Sequence, residues 1–299
     1  MRDRYGSITE AIRTADLRIF GLSFMTFVAI VFITSFRLKL IAEAQEIRIN
    51  VREAASLTFI GYFFNNFLPT AIGGDVVKAY YLSKKSGDNT GSYTSVFIDR
   101  AIGLVTMILM AFAALFFIKD AVIDDTIRYS VYAITAVSLA GIFFMVNKSF
   151  ASRFTSVLRF MSPIENKLRK AYNAVNKYRS HRMLMFKATA ISVISQLLYF
   201  TTIGLLAFSI GSRVSAVNIL IRMPAVCMIS LLPSVNGLGV REGATVLMFG
   251  PLIGKEEAFV VSILLIVMLL MISIIGGLIY ALSPQFKVKF KDVEKGDGA

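Results

Sequence analysis

Two stretches of this chain set polar and helix-breaking residues inside otherwise apolar sequence, and they limit what it can fold into. The first is Phe63-Phe64-Asn65-Asn66-Phe67-Leu68-Pro69-Thr70-Ala71-Ile72-Gly73-Gly74-Asp75-Val76-Val77-Lys78. The second is Leu231-Leu232-Pro233-Ser234-Val235-Asn236-Gly237-Leu238-Gly239-Val240-Arg241-Glu242. Backbone that leaves helical geometry within a bilayer has polar groups that lipid cannot satisfy, so it persists only inside protein or against a wet cavity. The two breaks are therefore expected to face each other and form the functional site.

That reasoning presumes a membrane, and composition supplies one. Hydrophobic residues make up 56% of the 299 positions, mean hydropathy is +0.68, and several runs reach the roughly 20 uncharged residues that span a bilayer. The runs are continuous rather than alternating, which argues against a β-barrel. The net charge of +13 comes from basic residues in short connections between spans, the pattern of cytoplasmic loops. Nucleic acid is not expected as a partner. Cys227 is the single cysteine and His181 the single histidine, so neither a metal centre nor a histidine relay is expected, and no cofactor.

Along the chain, residues 1–16 are a polar N-terminal segment and 17–282 a single transmembrane domain. Spans are expected at 17–36, 93–118, 129–146, 188–210 and 258–282, with a connection at 37–54. Each break is followed by a short helix, from Asp75 to Leu82 and over 240–249, and a tight loop is expected over 251–257. The connection 148–187 holds ten Lys or Arg. Within it Ser162-Pro163-Ile164-Glu165 is a capping box. Ile164, Leu168, Ala171, Val175 and Tyr178 then recur on one face, which predicts an amphipathic helix against anionic headgroups. Residues 283–299 form a basic tail.

Placing 148–187 and the tail in the cytoplasm makes the acidic loop 119–128 external. If the first break enters and returns on one side, 21 of the 32 Lys and Arg lie inside. The same bookkeeping sends the second break in from the other face. Two oppositely oriented re-entrant hairpins, one in each half, are the mark of an inverted repeat. The expected fold is thus an all-α polytopic membrane protein of about five to six full spans plus these two hairpins. Laying Pro69 on Pro233 also aligns Gly73 with Gly237.

Asp75 stands just after two glycines and reads as an N-cap, or as a group that meets a ligand. A helix beginning at membrane depth directs free N–H groups and positive dipole towards phosphate or carboxylate, and Lys78, one turn in, is a matching cation. In the second break Asn236, Gly237 and Gly239 precede Arg241 and Glu242. Arginine costs about 2.5–3.5 kcal/mol at membrane depth, so a partner or wet pocket is expected for it. That partner is either a phosphate or an internal ion pair with Glu242 or Asp75. Asn65 and Asn66 can satisfy the broken backbone or touch a headgroup. Asp99 and Arg100 are expected to form structural ion pairs, with Lys78 or the 37–54 stretch, from the N-terminal turn of their span.

The strings F-N-N-F-L-P-T-A-I-G-G-D-V-V-K-A-Y, F-I-D-R-A-I-G-L and L-L-P-S-V-N-G-L-G-V-R-E resemble the transmembrane, flippase-like region of the lysylphosphatidylglycerol synthase family, in the family's order. The resemblance covers about residues 17–282. It implies an inner-membrane protein related to the part that moves aminoacylated phosphatidylglycerol between leaflets. The family pattern falls on Asn66, Pro69, Gly73, Gly74, Asp75, Lys78, Asp99 and Arg100, and on Pro233, Gly237, Gly239, Arg241 and Glu242. Lys78 stands where the family more often has arginine, which removes the planar fork that grips phosphate bidentately. The family's soluble aminoacyl-transferring domain has no counterpart here, so synthase activity is not expected. The family usually has a further span before the first one expected here, and its absence would account for an external N-terminus.

The leading expectation is a lipid translocator whose partners are membrane phospholipids and a separate lipid-modifying enzyme. The alternatives are a glycosyl or aminoacyl transferase on a lipid carrier, for which no D-x-D motif or nucleotide-binding pattern is seen, and a non-catalytic membrane partner docking an enzyme through 148–187.

Overall fold

The computed structural model describes residues 15–67, 73–115, 129, 132–133, 135–136, 174–178, 180–230, 238–283 and 286. Every element of the described residues is helical. We number eight helices: α1 (Leu17–Glu43), α2 (Val51–Phe67), α3 (Gly73–Ser86), α4 (Asn89–Leu115), α5 (Arg182–Ser209), α6 (Ala216–Ile229), α7 (Val240–Ile253) and α8 (Lys255–Leu282). Of these, α1, α4, α5 and α8 are long and apolar enough to cross a membrane. On α8, Val267, Leu270, Met271, Ile274 and Leu278 recur along one exposed face. Buried serines and threonines such as Ser35, Ser195 and Ser262 donate to carbonyls of their own helices, so polar atoms at helix interfaces are satisfied without water.

The eight helices fall into two sets of four with nearly the same lengths: 27, 17, 14 and 27 residues, then 28, 14, 14 and 28. First residues of matching helices are 165, 165, 167 and 166 positions apart (17 to 182, 51 to 216, 73 to 240, 89 to 255). Packing repeats as well. Helix α2 lies on α8 and its match α6 on α4; α3 packs on α4 and α7 on α8; α1 meets α4 and α5 meets α8.

The most extensive helix contact is between α1 and α5, and these two run antiparallel. At one end Asp16 N–H donates to Ser209 O (2.8 Å). Midway the hydroxyls of Thr26 and Thr202 are 2.9 Å apart, and further on Arg37 Nη1 donates to Ser192 Oγ (2.5 Å). A pseudo-twofold axis therefore crosses this pair at right angles and inverts the second set relative to the first.

Each set contains a folded-back pair. In the first, Lys85 Nζ reaches Glu53 Oε1 (2.5 Å) at the open end, while Gly74 N–H meets Asn65 near the tip. In the second, Arg222 Nη1 donates to Met248 O (2.6 Å) across the α6–α7 pair. The open ends lie at opposite ends of the α1–α5 pair, because α2 follows the C-terminus of α1 and α6 follows the C-terminus of α5.

Helix α2 starts on a reciprocal cap: Asn50 N–H donates to Glu53 Oε2 and Glu53 N–H to Asn50 Oδ1, both at 2.8 Å. Asn50→Ala is expected to lower stability by about 1 kcal/mol, the usual worth of such a cap, as a fall in the melting temperature of the detergent-solubilised protein.

Several sequence expectations shift. Helix α1 runs to Glu43, so Arg37 belongs to the helix and is buried, stabilised by an ion pair described below. Helix α4 begins at Asn89, which places Asp99 and Arg100 well inside it, beyond reach of the dipole at its start. Arg182 and Lys187 are helical, within α5, not part of a loop. Pro251 lies within α7, and the expected 251–257 loop contracts to Gly254, whose φ of +96° suits glycine. The expected 129–146 span and 162–178 helix lie mostly outside the described residues. Tyr132 packs edge-on against Phe112. Tyr178 is buried and its hydroxyl reaches Ser95 (3.0 Å) and Ile41 O (3.1 Å), so that end of the predicted amphipathic helix faces protein.

Candidate functional site

The first folded-back pair is closed by two glycines. A Cβ on Gly74 would overlap the Gly61 carbonyl, standing 2.7 Å from its carbon. Both residues are buried, and lacking side chains they let α3 start directly against α2. The Gly74 amide, one of the orphan donors of the first turn, donates to Asn65 Oδ1 (2.7 Å). Asn65 thus satisfies the broken backbone, as one of its two expected roles required. Asn66 is half-buried in the last turn of α2.

Asp75 is the third residue of α3 and does not cap it. Its carboxylate binds Lys78 Nζ (3.1 Å) and the Arg100 guanidinium. The stem of Lys78 lies over Gly61, where a Cβ would stand 3.4 Å from Lys78 Nζ. Beside this triad a second pair is buried: Arg37 Nε and Nη2 donate to Asp99 Oδ1 (2.7 Å) and Oδ2 (3.1 Å). Asp99 and Arg100, adjacent in sequence, therefore tie α4 to α1 and to α3 respectively. The expected ion pairs are present, with Arg37 the partner from the 37–54 stretch.

The second pair carries different chemistry. Gly239 precedes α7 with φ +79°, a conformation that side chains with a Cβ resist. Arg241 and Glu242 then fill the first turn, their side chains only 12% and 8% exposed. Arg241 Nε and Glu242 Oε1 are 3.7 Å apart, too far for a hydrogen bond. Neither that nitrogen nor either Glu242 oxygen has a hydrogen-bond partner. Of the expected internal partners for Arg241, then, Glu242 forms an ion pair with it that is not closed by a hydrogen bond. Pro69, Pro233, Asn236 and Gly237 lie outside the described residues, so the Pro69–Pro233 alignment is untouched by structure. The helix starts themselves match three residues further on, Gly73 with Val240.

An aromatic cluster joins the two halves. The ring of Phe27, on α1, packs edge-on against Tyr62 of α2 (5.8 Å) and Tyr199 of α5 (6.4 Å). Tyr199 in turn neighbours Cys227 of α6. Sequence reasoning did not single out Arg37, Arg222, Tyr62 or Tyr199. A usable signal existed for the arginines, since each interrupts an apolar helical run and must be compensated. The tyrosines had none.

Helix α8 is held close to α2 by Gly276, whose added Cβ would overlap the Phe59 carbonyl and stand 2.6 Å from its carbon. This is the close contact expected of the Gly276-Gly277 pair.

Comparison with known proteins fits this arrangement. The family described as lysylphosphatidylglycerol synthase TM region matches residues 5–276. The UPF0104 membrane protein PH1989 of Pyrococcus horikoshii is 25% identical over 279 residues, covering 83% of this chain and 81% of its own. A UPF0104 membrane protein of Methanothermobacter thermautotrophicus is 25% identical over 269 residues, covering 82% and 78%. No solved structure matches the chain.

Proposed function

The chain belongs to the lysylphosphatidylglycerol synthase transmembrane-region family, and from that multi-pass membrane architecture we propose that it translocates a phospholipid or lipid-linked headgroup between leaflets. The two folded-back pairs enter the bilayer from opposite faces and meet near its midplane. The headgroup binds between the helix starts of α3 and α7, while its acyl chains stay in lipid. Arg241 counters the phosphate, joined by Lys78 when it parts from Asp75. Gly73, Gly74 and Gly239 let the ligand approach backbone, with Asn66, Asn236 and Gly237 alongside. The protein sits in the cell membrane with its C-terminus in the cytoplasm, on the side of Lys39, Arg48, Lys84 and Lys85. A separate enzyme would supply any aminoacylated substrate.

The observation that carries this reading is Arg241: a guanidinium at the start of a buried helix whose Nε has no hydrogen-bond acceptor. Buried charge left short of a hydrogen bond is costly, and charge at membrane depth marks function. A charged hydrogen bond is worth about 1.5–3 kcal/mol. Arg241→Ala is therefore expected to slow lipid movement in reconstituted vesicles by about ten- to a hundredfold, with the elution profile and melting temperature of the folded protein retained. Flipping at the rate of the unaltered protein would sink the assignment.

A further inference from the structure

The inverted repeat allows each fastening of one half to be looked up in the other. The first folded-back pair, α2–α3, is tied to the long helices at several places. Asp75 of α3 pairs with Arg100 of α4. The Tyr81 hydroxyl of α3 donates to Phe286 O, just beyond α8. Gly276 lets α8 lie directly against the Phe59 carbonyl of α2. Position for position, the second half cannot repeat these ties. Glu242 stands for Asp75, but the residue of α8 that matches Arg100 is Ile266. Met248 stands for Tyr81, Met110 for Gly276 and Pro224 for Phe59. Helix α2 accordingly lies on α8 more extensively than α6 lies on α4.

The connections differ in the same sense. Each pair is entered and left through backbone at positive φ, at matching positions. In the first half these residues are Glu46 (φ +66°) and Gly87 (φ +72°), and in the second Gly211 (φ +80°) and Gly254 (φ +96°). A side chain confines Glu46 to a narrow positive-φ well, whereas glycine passes between φ regions at little cost. The second pair therefore hangs from a glycine at either end. Pro224 and Pro251 also interrupt α6 and α7, while α2 and α3 contain no proline, and each proline removes a helical hydrogen bond. Arg222 holds α6 to α7 through Met248 O (2.6 Å), so the pair can move without coming apart.

We propose that the second folded-back pair is the moving gate: α6–α7 swings as a unit about Gly211 and Gly254, while α2–α3 stays fixed to the long helices. The inference rests on the translocator reading and assigns its opening to one half of the repeat. Moving α2–α3 would part Asp75 from Arg100 inside the protein, where a stranded charge is costly. The second pair has no counterpart of that ion pair to part. Its motion is absorbed by a few residues at its connections, as hinges require. Lys78 pairs with Asp75 within α3 itself, so its side chain can turn to a ligand while the first pair stands still.

The test locks each hinge in turn with a disulfide, in full-length protein carrying Cys227→Ala. Gly250→Cys with Lys255→Cys spans Gly254. A Cβ on Gly250 would stand 3.9 Å from Lys255 Cβ, inside the range of about 3.5–4.5 Å that a disulfide needs. Ser86→Cys with Ser92→Cys spans Gly87, where the two hydroxyls are 3.1 Å apart. The proteins are reconstituted in vesicles of phosphatidylethanolamine and phosphatidylglycerol, and movement of a short-chain fluorescent phosphatidylglycerol is read by albumin extraction. Oxidation of the Gly250–Lys255 pair is expected to slow movement at least about tenfold, because it removes the opened population that carries transport. Dithiothreitol should restore the rate, which shows the protein folded throughout. Oxidation of the Ser86–Ser92 pair should leave the rate unchanged. Hydrogen exchange of the unaltered protein supplies a second reading: amides of α6–α7 should exchange at least about tenfold faster than their matches in α2–α3. Equal exchange in both pairs, or slowing by the Ser86–Ser92 disulfide alone, would overturn the proposal. If the reduced proteins move no lipid, the translocator fails and hydrogen exchange decides the gate. If lipid moves at the reduced rate under both disulfides, the translocator stands and the gate fails.

Discussion

Arg37→Ala should destabilise the folded protein by about 3–5 kcal/mol, because it leaves the Asp99 carboxylate buried without its cation. Arg37 and Asp99 are 6% and 9% exposed, and the fork-to-carboxylate geometry, 2.7 and 3.1 Å, leaves both oxygens satisfied. The pair also anchors α5 through Ser192, so three helices lose a common fastening. A buried pair is replaceable where a buried charge is not. The double variant Arg37→Met with Asp99→Leu is therefore expected to recover most of the loss. Thermal or SDS-driven unfolding of the parent, Arg37→Met, Asp99→Leu and the double variant gives the coupling directly. A single variant as stable as the parent would mean that the Asp99 carboxylate does not depend on Arg37.

Gly74→Val is the second large effect. Even the first added atom would overlap the Gly61 carbonyl, and Asn65 Oδ1 would stand 2.8 Å away. Backbone cannot give way as a flexible side chain can, so α3 must move off α2. Overpacking of this kind costs about 1–3 kcal/mol or more, and the displacement would strip the Gly74 amide of its acceptor as well. Gly21→Ala is the control. Nothing lies within 4 Å of its added carbon, and alanine is the better helix former, so stability should hold or rise by up to about 1 kcal/mol. Equal melting temperatures for Gly74→Val and Gly21→Ala would refute the close approach.

The helical membrane fold was legible because long apolar runs have few other solutions, and both breaks were legible because Asn, Pro and Gly are costly there. Helix ends were less visible. The 17–36 span was closed at Arg37 on the premise that arginine leaves the bilayer, yet Asp99, 62 positions away, lets it stay. Only tertiary structure supplies that partner. Asp75 looked like a cap for the same reason: local preference favours capping, and the cations that claim its carboxylate come from one turn on and from another helix. The contrast between Asp75 and Glu242 was out of reach, since it depends on matching α3 to α7 by helix start rather than by the shared prolines.

A pseudo-twofold axis sorts residues into those that have a double and those that do not. Gly61, Gly74 and Asn65 act within one hairpin, and a change there perturbs one doorway of the molecule. Phe27 is different, because its ring leans on Tyr62 of the first half and on Tyr199 of the second. A change in its bulk is therefore felt in the packing of both halves at once, where a change in a residue with a double is felt in one.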